Sequence, residues 1–372
     1  MRTARRFAAR ILGAALIGAA SMTVPDSAVT PVAAQTKQAT LVVVLLDRVN
    51  SYLGIVDPAA GKMVARVPTG PDAHILAVSE DGRLAYVANT NGHGRTIPDG
   101  DSISVVDIAA RKEIRRVDAG FGTSPLDIQT AGGKVYFSAS GYKALGVYDP
   151  ARNRVGYFGL GQDGPGNFII SPDLKTIFVV NPESNNVSIV ENFVEGPVLR
   201  FPPKPTDWRH TEVPVGNGPS GIAMSPDGKE VWTINEEKGA GASIINVATR
   251  MVRTVDLPTE HAVRLRFTPD GGRVLVLDRA DSGAGQIVVV DAATHRVVKQ
   301  LRFEGDKPGD EMTLGNLVVV PDGSRAYVTV NATAVGVRNY IGVIDLKTLA
   351  VTGRIDTGAD VRGNGLGWAV PK

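Results

Sequence analysis

A Pro-Asp-Gly turn followed by a strand of β-branched and aromatic residues recurs along this chain, and an internal repeat restricts the fold more than any other feature. The clearest copy is Ser225-Pro226-Asp227-Gly228, set between the apolar run Gly221–Met224 and the strand-like run Val231–Ile234. Proline presets φ for a turn, the aspartate bonds its own backbone, and glycine takes positive φ without steric cost. Valine, tryptophan, threonine and isoleucine then suit a pleated, half-buried surface. The unit reads as strand, turn, strand.

Versions of the turn stand at Ser79–Gly82, Ser171–Leu174, Thr268–Gly271 and Val320–Gly323, with a degenerate copy at Ala131–Gly133. Second strands follow, among them Leu84–Asn89, Ile177–Asn181, Val274–Asp278 and Ala326–Asn331. Third strands, many ending in Asp, come next: Ile103–Asp107, Leu145–Asp149, Val187–Val190, Ser243–Asn246, Ile287–Asp291 and Ile341–Asp345. A fourth strand returns after a short polar turn, as in Val297–Leu301. Asp227, Asp270 and Asp322 are 43 and 52 residues apart, and four short strands in roughly 40–50 residues is the period of a propeller blade. Tyr86-Val87-Ala88-Asn89, the Pro-Asp-Gly turns and the Val-Val-Asp third strands resemble the bacterial YVTN-repeat (YncE-like) β-propellers over about residues 40 to 371. That resemblance is specific for fold and implies little about function.

The expected fold is all-β, a seven-bladed propeller of four-stranded antiparallel blades. Leu41–Leu46, Tyr52–Asp57 and Met63–Val67 read as second, third and fourth strands of a blade whose first strand is missing at the front. Gly365–Val370 has the first-strand pattern. The C-terminal strand is therefore expected to complete the N-terminal blade and close the ring, which removes exposed edges. The blades fall at about 41–70 with 363–371, then 71–120, 121–162, 163–217, 218–259, 260–305 and 306–358. Length alone suggests two domains, but the unbroken repeat argues for one, over residues 35–372.

Residues 1–34 read as a secretory signal peptide: Arg2, Arg5, Arg6 and Arg10 precede the short apolar run Ile11–Ala20, and Val32-Ala33-Ala34 suits cleavage before Gln35. Cleavage nearer Ala20 or Ala28 also fits. Arg5-Arg6-Phe7 carries a twin-arginine echo with the aromatic misplaced, so Sec export to a periplasmic or secreted location is expected. No membrane span is expected after cleavage, since the apolar run is too short for a permanent anchor. Four of the 40 basic and one of the 38 acidic residues lie in this leader, which leaves 36 against 37. Near-neutral charge argues against nucleic acid as a partner. The chain has no Cys, which excludes disulfides, cysteine metal sites and a Cys-x-x-Cys-His haem attachment.

Blades of this type put the first strand on the axis and the second-to-third and fourth-to-first connections on one face, where ligands usually bind. The candidate rim there comprises Arg48, His74, Asn89, His93, Arg95, Asn235, Glu236, His261, Arg264, Asp278, Arg279 and Arg338. Asn and Asp also end strands for purely structural reasons, because they cap turns and tolerate positive φ. Arg264 differs, since it sits in an inner strand that should be apolar or channel-facing. A His-only metal site needs three or more converging ligands. His74, His93 and His261 come from two non-adjacent blades, so metal and cofactor remain unassigned. His295 and His210 fall on the opposite face, His295 as a solvated turn residue. The Pro-rich insertion Phe193–Glu212 carries Trp208 and Arg209, either a docking arm for a partner or a rigid loop packed on its blade. No Gly-x-Ser-x-Gly, P-loop or His-Glu-x-x-His motif occurs.

The expected function is an exported, monomeric binding scaffold that recognises a small molecule or a protein through its top face and channel mouth. The resemblance implies an alternative, an enzyme or enzyme subunit of the lactonase-like or quinoprotein dehydrogenase-like propeller type. His74, His261, Arg264 and Asp278 would then be its candidates. DNA binding is a minor alternative.

Overall fold

A computed structural model describes residues 40–46, 51–90, 101–160, 165–191, 210–236, 241–279, 285–334, 336–358 and 362–369. The strands all fall in the compact unit Lys37–Lys372. In chain order they begin with β1 (Thr40–Leu46), β2 (Tyr52–Asp57) and β3 (Lys62–Pro68), followed by β4 (Ala73–Val78), β5 (Leu84–Asn89), β6 (Ser102–Asp107) and β7 (Lys112–Asp118). Next come β8 (Pro125–Ala131), β9 (Lys134–Ala139), β10 (Ala144–Asp149) and β11 (Arg154–Gly159), then β12 (Phe168–Ile170), β13 (Thr176–Asn181), β14 (Asn186–Glu191) and β15 (His210–Pro214). They continue with β16 (Pro219–Met224), β17 (Glu230–Asn235), β18 (Ala242–Asn246) and β19 (Val252–Val255), then β20 (Ala262–Phe267), β21 (Arg273–Asp278), β22 (Gln286–Asp291) and β23 (Val297–Arg302). The last are β24 (Met312–Val319), β25 (Arg325–Ala332), β26 (Asn339–Asp345), β27 (Ala350–Gly358) and β28 (Arg362–Ala369). The helices among the described residues are two single 3₁₀ turns, and no helix there is long and apolar enough to cross a membrane.

The turns form as their side chains dictate. In the copy at Ser225, Gly228 takes φ of 71°. The Ser225 hydroxyl donates to Asp227 Oδ1 at 2.7 Å, and Asp227 Oδ1 accepts the Lys229 N–H at 3.1 Å. The Lys229 ammonium and the Ser225 hydroxyl hold the Asp227 carboxyl down at about 2. The same hydroxyl–aspartate pair recurs at Ser79–Asp81, Ser171–Asp173 and Thr268–Asp270. Third strands end in Asp for an equally local reason. Asp57, Asp107, Asp149, Asp291 and Asp345 each accept N–H groups from the following turn.

In several of the sheets the fourth strand is the least buried, as in β3, β7 and β23, while the two central strands are nearly sealed. β21 and β22 are buried along most of their length, whereas β23 is largely exposed. The cores lie between successive sheets. One holds Trp232 and Ile234 of β17 against Leu265, Val274 and Val276 of the next sheet. Another holds Tyr86 and Ile103 against Phe137, Tyr148 and Tyr157.

The strands form a β-propeller arrangement of four-stranded antiparallel blades. Among the described residues the hydrogen-bonded sheets number six, where seven blades are expected from sequence. Five have four strands. The sixth has eight, in the order β24-β25-β26-β27-β3-β2-β1-β28. The cause is a single parallel bridge, Asp356 to Lys62, which joins β27 to β3 and merges two four-stranded sets. Within that sheet β1 pairs antiparallel with both β2 and β28, the latter from Thr40↔Ala369 to Leu46↔Arg362.

Candidate functional site

The inner strands enclose a cavity of ≈ 400 Å³. β4, β8, β16, β20 and β24 each carry a register shift in their pairing with the next strand. Such bulges re-aim side chains relative to plain alternation. After its shift, β20 pairs Arg264 with Leu277 and Arg266 with Leu275. Both arginines therefore lie on one face, two residues apart, and both line the cavity. To the same lining β8 contributes Asp127 and Gln129, β24 contributes Asn316, and Asn167 enters just ahead of β12. The strands pack so closely that a Cβ on Gly221 would fall 2.7 Å from the Arg264 Cα.

These polar groups are sparsely paired with protein. Arg264 Nη1 donates to Asn167 Oδ1 at 3.2 Å, and Asn167 Nδ2 donates to the Ser220 carbonyl. Arg266 Nη1 donates to the Leu265 carbonyl at 2.8 Å. Asp127 Oδ2 accepts the Phe168 N–H at 3.1 Å, and Gln129 donates to the Phe168 carbonyl. Burial pulls the Arg264 guanidinium down to about 10, against the opposing pull of Asp127. Burial also lowers Arg266, and it raises the Asp127 carboxyl, whose charge Arg264 favours.

A second group stands where β17 and β21 end and β20 begins. Glu236 Oε1 lies 3.6 Å from His261 Nε2. Asp278 is sealed from solvent and accepts the N–H groups of Glu260 and His261, so it fixes the backbone that carries this histidine. Arg279 takes the His261 carbonyl with its N–H and donates from Nε to the Leu314 carbonyl. Burial lowers the Arg279 guanidinium, with Glu236 opposing.

Other residues expected at the rim are used inside the sheets. Asn89 is fully buried and donates to the hydroxyls of Ser102 and Ser104, both at 3.0 Å. Asn235 does the same to Ser243 at 3.2 Å. Ser104 also receives the N–H of Gly70 and Ser243 that of Gly216, so each trio pins the incoming connection to the sheet. His74 stands beside β28, where Asn364 donates to its carbonyl at 2.9 Å. Arg338 is exposed and pairs with Asp356 at 3.0 Å. Arg48, His93, Arg95, Trp208 and Arg209 lie outside the described residues. His295 is more than a solvated turn residue: its ring lies 5.4 Å from that of Trp232, and it contacts Arg253. His210 opens β15 opposite Val190. Among the described residues no group of three His, Asp or Glu could hold a metal ion.

Sequence reasoning singled out Arg264 but not Arg266, Asp127 or Gln129. The available signal was a charged or amide residue two positions from another on an inner strand.

No sequence family matches the chain, and no curated protein matches it. Solved structures do, as β-propeller proteins. A candidate 6-phosphogluconolactonase from Bacteroides uniformis ATCC 8492 shares 15% identity, with a TM-score of 0.64 over 90% of this chain and 100% of that one. Kuenenia stuttgartiensis hydrazine synthase shares 20% identity, with a TM-score of 0.52 over 62% of this chain. The chain spans 65% of the hydrazine synthase chain. The dihydro-heme d1 dehydrogenase NirN shares 16% identity, with a TM-score of 0.60 over 90% of this chain and 76% of that one. At these identities the likeness establishes the fold alone.

Proposed function

We propose that this protein is an exported β-propeller that binds a ligand in its axial cavity, and that its strands form seven blades closed into a ring. Two observations favour the ring. Seven hydrophobic clusters separate successive four-stranded sets, including one between β24–β26 and the set of β2 and β28. Each inner strand also neighbours the next around the axis, β28 touching both β24 and β4. Export rests on the leader at residues 1–34.

The observation that carries the binding reading is the ≈ 400 Å³ cavity with convergent polar groups. Concave sites of about 300–1,000 Å³ with few placed polar groups are the usual form of a small-molecule site. The test is a thermal-shift screen of the exported protein against sugars, lactones, organic acids, divalent metals and quinone cofactors. At least one class should raise the unfolding midpoint, since a ligand at about 100 times its Kd stabilises by about 2.7 kcal/mol. Arg264→Ala should abolish that shift. A shift that Arg264→Ala leaves intact would move the site elsewhere and overturn the reading.

A hydrolase is the second reading, favoured by the His261–Glu236 pair at 3.6 Å and by the candidate lactonase among the structural neighbours. It requires turnover of a lactone by the purified protein that His261→Ala removes.

A further inference from the structure

The cavity's charges do not balance. Among the described residues its lining carries two guanidinium groups, Arg264 and Arg266, and one carboxylate, Asp127. Neither arginine closes an ion pair with a described carboxylate. A guanidinium offers five N–H donors in a planar fork, and each of these two gives protein a single bond, through Nη1. Most of the donor capacity therefore faces the cavity. Both side chains are enclosed by protein yet partly open toward the axis, so their interactions there are weakly screened by bulk water. Arg279 adds positive potential felt at Arg264. The amides of Gln129, Asn167 and Asn316 supply neutral groups that could orient the rest of a bound molecule.

We infer that the axial cavity takes a small, metabolite-sized molecule bearing an oxyanion, carboxylate or phosphate, gripped by Arg264 and Arg266. This rests on reading the cavity as the ligand site and names the chemistry that site selects. An oxyanion would accept charge-assisted, fork-matched hydrogen bonds from both arginines and neutralise the excess charge. Asp127 works against it, by Coulomb repulsion and by competing for Arg264.

Calorimetric titration of the exported protein with gluconate, glucose 6-phosphate and glucose tests this, because the three share one carbon skeleton. At least one of the two anions should bind more tightly than glucose by about 10- to 100-fold, the range of a charged hydrogen bond, and the stronger anion separates carboxylate from phosphate. Arg264→Gln with Arg266→Gln should erase that preference. Asp127→Asn should strengthen anion binding several-fold, and it decides the matter should the double variant fail to fold. Glucose binding as tightly as both anions would overturn the oxyanion inference while the cavity reading survived. Tighter anion binding that Asp127→Asn weakens would also overturn it. No binding by any of the three, with no ligand found by thermal shift, would overturn both readings together.

Discussion

Ending the chain before Gly363 should abolish cooperative unfolding, or lower the unfolding midpoint by roughly 10 °C or more, the scale of several kcal/mol in a domain this large. The segment removed holds all but Arg362 of β28, the strand that pairs along the full length of β1. Its loss would leave β1 with an unpaired edge, a template for aggregation. Side-chain ties would go with it. Asn331 exchanges two hydrogen bonds with Gly363, both at 2.9 Å. Asn316 donates to the Asn364 carbonyl, and Asn364 donates to that of His74. Trp368 stacks on Tyr327 with ring centres 5.5 Å apart. The measurement is calorimetry or circular dichroism of the truncated and full-length proteins side by side. A truncated protein as cooperative and heat-resistant as the full length would contradict the proposed closure.

Trp232→Ala should be the most damaging single substitution. Trp232 is fully buried and meets Phe267 edge-on at 5.7 Å across the junction between two sheets. Its indole N–H donates to Glu230 Oε2 at 2.9 Å, and Glu230 also holds Arg253 at 3.1 Å. The alanine variant leaves a cavity and strips Glu230 of one partner, a loss of about 3–5 kcal/mol. Trp232→Phe keeps most of the volume and loses chiefly the hydrogen bond, for about 1 kcal/mol. Denaturant midpoints of the two variants check both figures, and an alanine variant within about 1 kcal/mol of the original would refute the packing argument.

Features written in adjacent residues were legible in the sequence. The Ser225–Asp227 turn and the aspartates that end third strands act within three residues of themselves, so composition at those positions announces them. Asn89 and Asn235 were ambiguous for the opposite reason. Their partners Ser104 and Ser243 stand on the neighbouring strand, and only the register reveals that each amide points inward rather than to the rim. Arg266 follows from Arg264 by plain alternation and was passed over, whereas Asp127 was missed because it sits inside the irregular stretch of its strand. The register shifts at Ala262–Arg264 and Pro125–Ile128 change which residues face the axis. The sheet count turned on one bridge, Asp356 to Lys62, which no periodicity encodes.

The proposed ring stands or falls on how firmly β28 is held, and amide hydrogen exchange measures that directly. If the last strand seals the structure, the amides within Gly363–Ala369 should exchange only through global unfolding, as slowly as those of Val274–Leu277 in the buried strand β21. Exchange at the rate of a frayed terminus, while β21 stays protected, would mean that the sheet is open there and the axial cavity has no closed wall.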